Sequence, residues 1–175
     1  HLIAQDIERG HSVGVLDLRG DLVDSVLELA AGRVNPANVT LIDLREKEQP
    51  HGFNPLFGPG EPYFRALGVL DAIAHEADSW GVQLSETLRF ALMLFAEIDK
   101  PITQLDQLFY NASFRLQCLA SAENSPTSDF WERFHALSPD KQQSLAMPVL
   151  NKLSMLTATR SLRKVLGHHN PVDLD

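Results

Sequence analysis

Over the first sixty residues the apolar positions alternate between a period near 3.6 and a period of 2, which is the signature of helix alternating with strand. Leu2, Ile3 and Ile7 share one helical face, and Gly10 is placed to close that helix. His11 to Leu16, carrying Val13, Val15 and Leu16, reads as a short strand that ends on Asp17. Asp21 is placed to cap a helix that buries Leu22, Val23, Val26, Leu27 and Ala30 and ends near Gly32. Asn35-Pro36 interrupts the chain, and Val39 to Leu44 reads as a second strand. Helix, strand, helix, strand with short connections predicts part of a parallel, doubly wound sheet over residues 1–60. Two strands do not stand alone. The chain is therefore expected to be an internal piece of a larger protein, with a helix begun before His1 and more sheet elsewhere.

After Gly58-Pro59-Gly60 the period stays near 3.6, which predicts an all-α domain over residues 61–175. Pro62 suits a first helical position, and Phe64, Leu67, Leu70, Ala74 and Ala77 form a stripe down to Trp80-Gly81. Leu84, Leu88, Ala91, Leu92, Phe95 and Ile98 fall on one face of the next helix, widened by Phe90 and Leu94, which predicts a central, mostly buried element. Thr103 with Asp106 resembles a capping box, and Asn111 can cap a further helix. Phe130, Trp131, Phe134 and Leu137 mark another turn of helix after Ser128-Asp129. Ser138-Pro139-Asp140 starts a helix, Pro148 leads into a separate one bearing Val149, Leu150, Leu153 and Leu156, and Thr159 can cap a last short helix ending at Gly167. The expected fold class is an α/β fragment followed by a mainly α-helical domain, predominantly helical overall.

Charge refines this picture. The formal net charge is −8, which argues against a surface that binds nucleic acid all over. The acids are unevenly spread. Residues 61–128 carry nine acidic and four basic side chains, whereas Lys141 to Val172 holds five basic residues and no acid. The one cysteine, Cys118, sits among Phe114, Leu116 and Leu119 and reads as a buried thiol, so a reducing, cytosolic setting is expected. No apolar run approaches the ~20 residues that span a bilayer.

Three constellations could carry chemistry. Asp17-Leu18-Arg19-Gly20-Asp21-Leu22 lies between a strand and a helix, where ligands gather in doubly wound sheets; it also reads as a plain turn with a cap. Phe53-Asn54-Pro55-Leu56 is a turn whose Asn is held extended by the proline. On the last helix Arg160, Arg163 and Lys164 lie at about 0°, 300° and 40° around the axis, opposite Leu162, Val165 and Leu166. That cationic face either contacts phosphate or complements the helix C-terminus, and Lys152 adds a further charge in the same acid-free segment. The seven histidines show no zinc-ligand spacing, so no metal site is expected. The chain holds no Gly-x-x-x-x-Gly-Lys-Ser/Thr phosphate loop, and no catalytic residue is assigned.

Taken in order, these turns resemble the FtsK/HerA-like superfamily of DNA-pumping P-loop ATPases, in the branch of type IV coupling proteins of conjugation. The resemblance rests on Val13-Gly14-Val15-Leu16-Asp17-Leu18-Arg19-Gly20-Asp21-Leu22, on Phe53-Asn54-Pro55-Leu56, and on Ser79-Trp80-Gly81, Phe130-Trp131 and Pro148-Val149-Leu150-Asn151-Lys152-Leu153 in the helical part. Leu18 stands where that family has Pro, and Arg19 where it has Lys or His. The resemblance implies a partial RecA-like motor domain over residues 1–60 and an all-α insertion domain after it. It further implies Mg-ATP bound in the intact protein, identical subunits in a hexameric ring, DNA as cargo and relaxosome or secretion-substrate proteins as partners. It places Asp17, Arg19, Gly20, Asp21 and Asn54 near a nucleotide edge or subunit seam. The chain itself would lie at the cytoplasmic face of a bacterial inner membrane. The rival expectation, favoured by the acidic balance of residues 61–128, is a helical protein-docking module that never touches DNA.

Overall fold

Two stretches of the chain bury very different shares of their apolar side chains, and they form two compact units, His1–Leu41 and Ile42–Asp175. The computed structural model describes residues 2–45, 51–77, 79–122, 124–168 and 171–172.

The first unit contains helices α1 (Leu2–Glu8) and α2 (Asp21–Ala30). Gly10, at φ 75°, closes α1 through bonds from its own amide to the Ile7 carbonyl and from His11 N to the Asp6 carbonyl. Of the unit's described side chains only Ala30 is buried; on the apolar face of α2, Val23, Val26 and Leu27 are partly buried and Leu22 is 47% exposed. The parallel sheet expected here does not form. Among the described residues there is no strand, and the lone isolated bridge joins Gly52 to Pro171. The alternation over His11 to Leu16 and Val39 to Leu44 describes what one strand offers; a strand exists only when a neighbour completes its hydrogen bonds and covers its apolar side. Here Leu16 is 91% exposed and Leu41 43%. The fold class is helical, not a partial RecA-like sheet.

The second unit is built around one helix. Its elements are α3 (Pro62–His75), α4 (Val82–Glu97), α5 (Gln107–Tyr110), α6 (Ala112–Ser121), α7 (Ser128–His135), α8 (Pro139–Leu156) and α9 (Arg160–Leu166). As its sequence predicts, α4 is central. Nine of its sixteen residues are buried, including the unbroken run Ala91 to Ala96, and α3, α6 and α8 pack around it. Phe109, Trp131 and Phe134 meet edge-on or tilted beside it, with ring centroids 5.4 to 5.8 Å apart, the separation aromatic pairs favour. Arg115 is enclosed in the same layer, 2% exposed, with its guanidinium donating to the Leu108 carbonyl and to His135 Nδ1 and lying over the Phe134 ring.

Local chemistry sets most helix ends. The Asn111 side chain accepts from Phe114 N at 3.1 Å, and the Thr159 hydroxyl from Leu162 N at 3.2 Å, so both cap as expected. The box expected of Thr103 and Asp106 is not made: Thr103 lies within a 3-10 turn (Ile102–Gln104), and the Asp106 side chain makes no capping bond. The break expected at Pro148 is also absent. One helix runs from Pro139 to Leu156, because Ala146, Val149 and Leu153 on either side of the proline are all buried and hold the axis against the core. The first helix of the unit stops at His75, short of Trp80.

Candidate functional site

The Asp17 turn is organised by its carboxylate. One oxygen accepts from Arg19 N at 2.9 Å; the other accepts from Leu22 N at 2.8 Å and Val23 N at 3.1 Å. Asp17 therefore caps α2 from four residues before its start. Asp21, expected as the cap, is instead the first helical residue, where its charge favours the positive end of the helix. Gly20 makes this possible by taking φ 97°, a left-handed conformation that lets the chain fold back over the Asp17 side chain. The amides of Gly20, Arg19, Val23 and Leu22 hold the Asp17 carboxyl down at about 2. Arg19 extends into solvent. A carboxylate with both oxygens taken by backbone amides is a poor base and a poor metal ligand.

The second turn belongs to the helical unit. Asn54 is buried; its carbonyl oxygen accepts from Leu56 N at 3.1 Å and its amide donates to the Lys100 carbonyl at 3.3 Å. Phe53 N donates to the Val165 carbonyl and Val172 N to the Gly52 carbonyl, which stitches this segment along the end of α9. Gly52 is required by the closeness of that approach, since a Cβ there would stand 2.0 Å from the His168 Cβ. Arg65, which no sequence motif singles out, fixes the far side of the loop. Its guanidinium donates to the carbonyls of Leu56, Gly60 and Ala96, and lies 3.8 Å from Asp99.

These residues frame a cavity of about 700 Å³, walled by the 53–59 loop, α3, α8 and α9. Its lining is mostly apolar, with Phe53, Phe57, Phe64, Ile73, Met155 and Leu166 contributing. Gly68 lies on the α3 wall, where a glycine in mid-helix costs roughly 0.5–1 kcal/mol relative to alanine. Lys152, expected among phosphate contacts, lines this cavity and is half-buried. Periodicity gave no sign of the cavity, because it is assembled from a loop and three helices distant in sequence.

The cationic face of α9 is present as the spacing predicts. Arg160 and Arg163 are exposed and Val165 is buried beneath them, with Lys164 half-buried on the same side. Arg163 and Lys164 lie in the last turn, where a positive charge complements the carbonyl end of the helix; Arg160 is the first residue, where the helix field opposes it.

The described residues do not fit Mg-ATP. The Asp17 and Asn54 polar atoms are committed to the backbone, no phosphate loop is present, and no described cluster of three His, Cys, Asp or Glu side chains could hold a metal ion. None of the described helices is long and apolar enough to cross a membrane. No protein-family model, curated protein or solved structure matches the chain.

Proposed function

We propose that this chain is part of an ATP-driven DNA translocase of the conjugative coupling kind, acting in the cytoplasm, in which the helical unit meets DNA through α9. The observation that carries the reading is Arg160. It is exposed at the end of α9 where the helix field disfavours it, so helix stability does not account for its charge. With Arg163 and Lys164 it forms a cationic strip within a segment, Lys141 to Val172, that contains no acid. Such a strip suits the regularly spaced charges of a phosphate backbone and carries no base readout. No step of ATP hydrolysis is assigned to any residue described above.

The test is anisotropy of a labelled oligonucleotide, single- and double-stranded, titrated with the chain at several salt concentrations. Replacing Arg160, Arg163 and Lys164 together by Ala should make the slope of log affinity against log salt shallower by about two on the single strand and about three on the duplex. An unchanged slope removes the electrostatic role. It would favour the second reading, a protein-docking module, which the acidic balance of residues 61–128 supports.

A further inference from the structure

The cavity wall combines a position where a side chain has been left out with a cation that has no partner among the described residues. Gly68 sits in the interior of α3, where glycine weakens a helix, yet a Cβ there would meet nothing within 4 Å. No steric conflict demands the glycine; its effect is to leave this exposed part of the wall without a side chain. Ala72, one turn further along the same wall, is also small. The polar groups around it are mostly spoken for: Arg65 by three carbonyls, Asn54 by Leu56 and Lys100. Glu76, at the end of α3, is exposed and keeps its water. Lys152 differs, being half-buried in the wall with no hydrogen bond or ion pair to its ammonium among the described residues. An ammonium at the rim of an apolar surface forms a charge-assisted contact with an anion that lies on that surface.

We propose that this cavity binds a small molecule with an apolar body and a single carboxylate, the carboxylate against Lys152 and the body lying over Gly68 and the phenylalanine rings. The volume of about 700 Å³ falls in the range of small-molecule sites. Four separate walls make the site concave, which suits a compact ligand better than a flat protein face.

The probes are decanoate and decan-1-ol, titrated calorimetrically into the intact chain. Decanoate should bind about ten-fold or more tighter than the alcohol, the difference expected of one charge-assisted contact. Lys152→Met, which keeps the apolar stem, should bring the two affinities within about two-fold by weakening decanoate alone. Gly68→Leu should abolish binding of both probes without lowering the melting temperature, and Ala72→Leu provides the same block from an independent position. Equal affinity for the two probes, binding of neither, or decanoate binding that survives both leucine variants would each overturn the proposal. So would self-association of the chain that Gly68→Leu abolishes, which would give the cavity to a second copy.

Discussion

Asp17 puts its carboxylate to structural use, capping α2 from outside the helix. Its position after an apolar run and before a helix is where chemistry gathers in α/β folds, but its two oxygens are filled by amides of the following turn. The sign of its pH dependence follows. The folded carboxyl titrates near 2 against an ordinary 3.8, so its contribution to α2 is complete above about pH 4 and is lost as pH falls from there to about 2. Carbon NMR of the Asp17 carboxyl, read beside the α2 chemical shifts, should show both changing in that window, and Asp17→Ala should erase the step in α2. Sequence spacing pointed to Asp21 because it adjoins the apolar run. What selects Asp17 is the left-handed backbone at Gly20, a property of the folded chain. Arg65 was illegible for a different reason: its partners are main-chain carbonyls, which every residue possesses.

Among the elements, α3 and α9 were readable because stripe and start signal agree, Pro62 for α3 and Thr159 for α9; α4 was readable from an apolar surface on nearly every side, and α6 from its cap, Asn111. The strands and α8 were misread because a local rule met a non-local outcome. Alternation at Val13 and Val15 reports a willingness to pair, and pairing needs a neighbour. Pro148 reports a missing hydrogen bond, which packing of Val149 and Leu153 overrides. The override has a cost that can be measured. Pro148→Ala restores the donor to the Ser144 carbonyl and removes the ring's clash, offset in part by a freer unfolded chain, so stability should rise by about 2 kcal/mol. A higher urea midpoint at unchanged m-value would establish it; an unchanged midpoint would mean that the helix has already relaxed around the ring.

At the scale of the molecule, the two units differ in what could hold them together. Ile42–Asp175 owns a continuous apolar core running from Leu56 to Leu153, whereas His1–Leu41 buries Ala30 among its described residues. Segments of about 40 residues without disulfides or metal rarely fold alone. A chain beginning at Ile42 should therefore unfold cooperatively in urea with the circular dichroism of α3 to α9 intact, and residues 1–41 alone should lose most of their helical signal. Loss of cooperativity in the longer piece would show that the first unit supports it. The cationic strip and the cavity both belong to that longer piece, so their tests survive the truncation. The lone cysteine has a consequence at the same scale. Cys118 is fully enclosed in the helical core, and burial pushes its thiol above the usual range. A sulfur shut away in this manner cannot reach a second molecule while the fold is closed. Covalent pairs on a non-reducing gel would accordingly count chains that had opened, making oxidation a lasting tally of past unfolding.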